Sequence, residues 1–274
     1  MTTLPHEARD VAESFGTDAA RYDRARPGYP AELIERIVAA SPGHEILDVG
    51  TGTGIDARQF QTAGCAVLGV EPDARMAAFA RETGIEVEVA KFEDWDPAGR
   101  SFDAVAAGMA WHWVDPVAGA AKAAGVLRPG GRLAVFWNVF QPPAALAEEF
   151  TAIIRRVLPD SRSHPDGRAP LEIYQLMFDK AADGIRQAGA FSEPEQWRYD
   201  WERTYTTAQW LDVLPTQGGY TRLPAGQLTA LLAATGEAID AVGGSFLMRF
   251  AAVAVTAARA GSRTRRPGPD PGTR

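Results

Sequence analysis

The residue types best suited to chemistry cluster where a short apolar run meets a string of glycines, Glu45-Ile46-Leu47-Asp48-Val49-Gly50-Thr51-Gly52-Thr53-Gly54. The run reads as a buried strand entering a tight turn. Alternating glycines there remove Cβ atoms where a ligand must come close and tolerate the positive φ that such a turn needs. Residues 55–63 can then start a helix whose free N–H groups face the same ligand. The spacing Gly52-Thr53-Gly54-Ile55-Asp56-Ala57 also fits the G-x-G-x-x-A form of dinucleotide sites, so the glycines alone leave the ligand open. Asp48 tips the balance, because a carboxylate just before the turn repels a pyrophosphate and suits an ammonium or a sulfonium.

Two further places carry reactive groups. Glu71 closes a second predicted strand, 66–71, where a carboxylate can accept from both hydroxyls of a ribose. Pro72 and Met76 follow it and would flank a nucleobase. The segment Trp111-His112-Trp113-Val114-Asp115 leaves a fourth predicted strand, 102–108, at its carboxyl end, the edge at which open α/β sheets place ligands. His112 titrates near neutral pH in its unperturbed state and is the candidate base; hydrogen-bonded support of its loop is the other role open to it. His6, His44 and His164 stand in poor contexts for catalysis. No histidine–carboxylate spacing suggests a metal site, and neither a nucleophile elbow nor a G-x-x-x-x-G-K-[ST] phosphate loop occurs.

The elements that must hold these groups alternate in period. Strands are predicted at 45–49, 66–71, 86–91, 102–108 and 132–138, with helices at 31–40, 55–63, 73–83 and 116–126, a pattern of βαβ units around a parallel sheet. Residues 127–131 read as the loop closing the last of these helices. Beyond them the chain predicts helices at 143–158, 171–188, 207–214 and 225–241 and strands at 195–205 and 245–258. Residues 15–30 mix aromatics and arginines with turn residues and serve either as a packed N-terminal helix or as a lid.

Composition bounds the class. With 274 residues, 46% hydrophobic and 23% charged, the chain reads as a soluble globular protein, expected in the cytoplasm, with no membrane span or signal peptide. A net charge of -7 argues against a nucleic-acid partner. The single cysteine, Cys65, reads as a buried thiol. Residues 1–13 are expected to be flexible, 14–260 to form one domain, the polar loop 159–170 to be an insertion or simply mobile, and the arginine- and proline-rich tail 261–274 to be disordered.

Taken together, Leu47-Asp48-Val49-Gly50-Thr51-Gly52-Thr53-Gly54, the 22–30 stretch, Trp111 to Asp115 and Leu127-Arg128-Pro129-Gly130-Gly131 resemble the class I S-adenosylmethionine (SAM) dependent methyltransferases. Within that family they are similar to the branch containing trans-aconitate methyltransferase and other small-molecule and natural-product enzymes. The resemblance implies a seven-stranded, mostly parallel sheet of order 3-2-1-4-5-7-6, the last strand antiparallel, with helices on both faces and a helical cap from 14–30 and about 143–242. It implies SAM as cofactor, S-adenosylhomocysteine as product, and a small-molecule acceptor of the kind met in secondary metabolism, methylated at oxygen, nitrogen or carbon.

Carried onto this chain, the cofactor residues are Tyr22, Arg26, Asp48, Gly50, Thr51, Gly52, Gly54, Glu71, Pro72, Met76, Phe92, Glu93 and Ala107, and the substrate residues Tyr29, Trp111, Trp113, Trp137 and Asn138. Lys91 departs from the pattern, standing where relatives carry an acid toward the adenine; Phe92 and Glu93 are the replacements. Two other readings stay open: a cyclase or binding protein that holds SAM without methyl transfer, and an NAD-dependent oxidoreductase.

Overall fold

The computed structural model describes residues 14–159 and 168–261. The expectations for residues 1–13, most of the 159–170 loop and the tail, with His6 and His164, lie outside the described residues. The strands are β1 (Glu45–Val49), β2 (Ala66–Glu71), β3 (Glu86–Val89), β4 (Phe102–Gly108), β5 (Leu127–Gln141), β6 (Glu195–Thr206) and β7 (Ser245–Ala258). They form one sheet of order β3-β2-β1-β4-β5-β7-β6. β1 to β5 run parallel, and β7 is antiparallel to both of its neighbours, β5 and β6. This is the expected topology. β5 starts earlier than its sequence suggests, because Leu127 pairs with Phe102 ahead of an irregularity in the ladder. The Gly130 N–H also donates to the Arg259 carbonyl, and the Arg259 N–H to Gly131, so the predicted loop is held as sheet.

Side-chain alternation sorts the sheet into two cores. Leu47, Val49, Val105 and Ala107 face α5 (Pro116–Val126) and α7 (Pro170–Ala188), where Phe178 and Ile185 are buried. Ile46, Ala104 and Ala106 face α2 (Ala31–Ala39), α3 (Ile55–Thr62) and α4 (Ala74–Glu82), whose Leu33, Ile37, Phe60 and Ala80 are fully buried. Cys65 is buried at the edge of this second core, where burial raises its thiol pKa. A third apolar cluster, built on Tyr205, Trp210, Ile239 and Phe250, joins the long β6–β7 pair to α6 (Ala144–Val157), α8 (Thr207–Val213) and α9 (Ala225–Ala241). That cluster is the base of the cap. No helix among the described residues is long and apolar enough to cross a membrane.

Residues 15–30 pack on the body. A single 3-10 turn (Phe15–Asp18) leads into α1 (Ala19–Ala25), whose first turn Asp18 caps. Arg58 of α3 binds Asp23 at 2.6 Å and the Thr53 carbonyl at 2.8 Å, while Gln59 exchanges two hydrogen bonds with the Tyr29 backbone. On the other side Arg24 forks onto Asp212 of α8. The segment therefore bridges the glycine turn and the cap.

α7 crosses α5 at Gly184, where a Cβ would lie 2.4 Å from the Pro116 carbonyl oxygen. A backbone atom at that distance yields only by moving the helix, so Gly184→Val should cost about 1–3 kcal/mol. Thermal denaturation checks this: a lower melting temperature is expected, and an unchanged one would show that the helices do not approach as closely as described.

Candidate active site

The period-2 alternation that buries Ile46 also turns Asp48 toward α3, and the glycine turn brings the chain back so that Asp56, in the first turn of α3, meets it. Asp48 is fully buried, and neither of its oxygens nor Asp56 Oδ2 finds a hydrogen-bond donor if both groups are ionised. A shared proton removes the conflict. Burial and, second, the neighbouring Asp56 hold the Asp48 carboxyl well above the usual carboxylate range, so Asp48 keeps the proton. Burial pushes Asp56 up to about 6, against the pull of its own N–H and those of Ala57 and Gly108. Gly108 makes room for this arrangement, since a Cβ there would meet Asp56 Oδ2 at 2.4 Å and the Tyr29 hydroxyl at 2.7 Å.

Three residues predicted to meet the cofactor, Asp48, Gly54 and Ala107, do not line the cavity beside the glycine turn. Asp48 stands behind Asp56, which lines that cavity together with Gly50, Thr51, Gly52, Tyr22, Arg26, Tyr29 and Asn138. The Ala107 side chain points into the α5–α7 core, while the expectation concerned the backbone carbonyls around it, and the adjacent Gly108 lines the cavity wall. Gly54 faces Ile85 and Arg58 and serves the packing of α3. Tyr29 and Asn138, expected against the acceptor, stand instead on the side of the glycine turn. Asn138 is held there by donating to the Gly28 carbonyl at 2.9 Å and accepting from the Trp201 indole.

The second cavity runs along the carboxyl ends of β1, β2 and β4. Glu71 is its fixed point: one carboxylate oxygen accepts from the Gly52 N–H and the other from the Asp73 N–H, both at 2.9 Å. Burial raises its pKa to about 7 despite those two donors. Pro72, Met76, Phe92 and Glu93 line the same space, together with Phe15, Lys91, Gly108, Met109 and Val114. Gly50 and Gly52 both lie at positive φ, +70° and +57°.

A third cavity, of about 390 Å³, lies under the cap and is lined by His112, Trp113, Phe140, Tyr174, Gln217 and Tyr220 among others. It meets the first two at Tyr22 and Met109, which line all three. Met109 has φ +52°, uncommon for a residue with a side chain, and its N–H donates to Phe136 at 2.8 Å. Trp111 and Trp137 line none of these spaces. Residues 111–113 form one 3-10 turn, in which successive side chains point about 120° apart; Trp111 therefore enters the core beside Phe92 while His112 and Trp113 face the cavity.

Trp137 is buried against Phe178 and donates from Nε1 to His112 Nδ1 at 3.3 Å. An indole N–H can only donate, so the neutral imidazole carries its proton on Nε2. Burial and the nearby Arg26 charge lower the His112 pKa to about 4. His112 is thus arranged as a hydrogen-bond donor, with its basic lone pair already used, which weakens the reading of it as a base. Sequence inspection missed Asp56, Met109, Phe15 and the cap residues; of these only Asp56 carried a signal, as the acid following a glycine turn.

Residues 47–135 match the family described as a methyltransferase domain. An uncharacterized methyltransferase of Mycobacterium tuberculosis is 35% identical over 153 residues, 54% of this chain and 61% of that protein. A demethylmenaquinone methyltransferase of Tropheryma whipplei is 32% identical over 162 residues, 55% of this chain and 67% of that protein. Among solved structures, a chain from Anaeromyxobacter dehalogenans named as a candidate type II methyltransferase superposes with a TM-score of 0.59 at 21% identity, covering 86% of this chain and 97% of that one. At that identity the likeness is one of fold. The protein belongs to the class I SAM-dependent methyltransferases, which sets aside the dinucleotide reading of the glycine spacing. It spans about 61% of the length of the mycobacterial relative.

Asp48, Asp56 and Glu71 bind protons more tightly in the folded chain than as free carboxyls of pKa about 4. The folded state therefore holds more protons than the unfolded one across this window, and by linkage these groups make the ligand-free protein less stable as pH rises from about 4 toward about 7. Asp48→Asn should flatten that dependence relative to wild type in thermal melts. A variant with an undiminished slope would contradict the pairing.

Proposed function

We propose that the protein binds SAM across the carboxyl ends of β1, β2 and β4 and transfers its methyl group to a small molecule held under the cap. The observation that carries this reading is the orphaned acid pair Asp48–Asp56, which calls for a cation at the spot where the glycine turn and Gly108 leave space. When bound, SAM supplies an electrophilic methyl group on a sulfonium.

The chain's residues divide the remaining work. Asp56, backed by Asp48, receives the cofactor's ammonium, with the Gly108 backbone beside it, and Arg26 faces the carboxylate. Glu71, already oriented by two backbone N–H groups, accepts from the ribose hydroxyls. Pro72, Met76 and Phe92 enclose the adenine, and Glu93 stands where it can meet the exocyclic amine. Tyr22, Met109 and Trp113 wall the junction between cofactor and acceptor cavities, which excludes water and aligns the acceptor atom for in-line displacement. His112 orients an acceptor oxygen through its Nε2–H.

Calorimetric titration with SAM, S-adenosylhomocysteine and NAD tests the reading. Micromolar binding of both adenosyl compounds, about -8 kcal/mol, is expected, with none for NAD. Glu71→Ala should weaken SAM binding by roughly tenfold to a hundredfold, the worth of hydrogen bonds to a charged acceptor, about 1.5–3 kcal/mol. Unchanged affinity would remove Glu71 from the site, and preference for NAD would overturn the proposal.

A further inference from the structure

The His112 cavity does not end at the sheet. It continues past Phe140, Ile154, Tyr174, Gln217 and Tyr220 into a second space of about 330 Å³ between α6, α7, α8 and α9. The two halves differ in chemistry. Donors gather in the inner half and at its border with the outer one: the hydroxyls of Tyr174 and Tyr220 and the Gln217 amide, which line both spaces, have no hydrogen-bond partner among the described residues, and His112 offers Nε2–H from the inner half. Arg26, assigned above to the cofactor's carboxylate, also borders this half, its Nη2 donating to the Thr216 carbonyl. No Asp or Glu among the described residues lines either half.

The outer half is walled chiefly by hydrocarbon, including Phe150, Ile173, Leu214, Leu231 and Met248. Its Thr151 hydroxyl is already bonded to the Ala147 carbonyl, and Arg168, the charged side chain that lines it, is itself exposed.

From this division we infer that the acceptor is an aliphatic carboxylic acid, its carboxylate held by the donors of the inner half and its alkyl chain lying in the outer half. The inference rests on the methyltransferase reading above and names its substrate class. Among the described residues the inner half holds donors but no basic group free to take a proton, which suits a nucleophile that arrives already ionised. A carboxylate does so at neutral pH. Burial raises the pKa of both Tyr174 and Tyr220, which keeps them protonated as donors. In the transfer, one carboxylate oxygen forms the O–CH3 bond as the S–CH3 bond of SAM breaks, and its electron pair remains on sulfur. The products are a methyl ester and S-adenosylhomocysteine, and no proton moves.

The test is calorimetric binding of hexanoate, octanoate, decanoate and dodecanoate, with dodecanol and dodecylamine as matched chains bearing other heads. SAM is titrated into the same preparations, and ester formation is followed by mass spectrometry with deuteromethyl SAM. Affinity should rise about fourfold per added methylene, equivalent to about 0.8 kcal/mol, until the outer half is filled. The alcohol and the amine should bind at least about tenfold more weakly, and the methyl ester should appear.

Ala147→Phe, which fills the outer half, should abolish the gain from the longest chains. The Tyr174→Phe, Tyr220→Phe double variant should weaken every acid about tenfold or more, the scale of hydrogen bonds to a charged group. Retained SAM affinity shows that each variant is folded. Intact SAM binding with no acid bound, equal binding of the alcohol or amine, or affinity independent of chain length overturns this inference and leaves the methyltransferase reading standing. Failure of wild-type protein to bind SAM defeats both.

Discussion

Two carboxyl groups buried against each other are the constraint on which the rest of this site depends. A one-residue slip of β1 would send Asp48 into the α5–α7 core and exchange Ile46 with Leu47 and Val49 between the two cores. The hydrophobic register thus forces an acid under the N-terminus of α3. The glycine turn then returns a second acid onto it. Helix N–H groups and the positive end of α3 favour the anionic form of Asp56, while burial opposes charge on either group. The ligand-free protein resolves the contest by keeping a proton, and a ligand ammonium resolves it by replacing that proton.

The same economy of position runs through the surrounding residues. Glu71 is pinned by backbone N–H groups on both oxygens before any ligand arrives, so its orientation costs nothing at binding. Trp137 lies in the core yet sets the tautomer of His112, so an aromatic side chain that touches no cavity decides what the cavity offers. The N-terminal segment links these parts: Arg58 and Gln59 of α3 hold it on one side, and Asp212 of α8 on the other. Cofactor half and cap are thereby tied through α1.

Much of this was legible in the sequence. Strand alternation, the strand-to-glycine turn and the acid ending β2 depend on local pattern, and they appear where the pattern places them. The antiparallel β7 and its position between β5 and β6 came through the resemblance rather than from periodicity. What stayed hidden was hidden for physical reasons. Asp56 sits in a spacing that reads as filler in a dinucleotide fingerprint. Residues 111–113 look like a single aromatic-rich wall, yet the 3-10 turn splits them between core and cavity. The cap residues Phe140, Tyr174 and Tyr220 belong to segments whose apolar content is equally that of core, and only the tertiary arrangement turns part of it toward a space.

The most direct measurement is the proton balance of SAM binding, obtained by calorimetry near pH 6 in buffers of different ionisation enthalpy. If the cofactor's ammonium takes the place of the proton held by Asp48 and Asp56, wild-type protein releases protons on binding, and Asp48→Asn releases fewer. Binding with no proton release, or with uptake, would contradict the account of the paired carboxyls and of the site built around them.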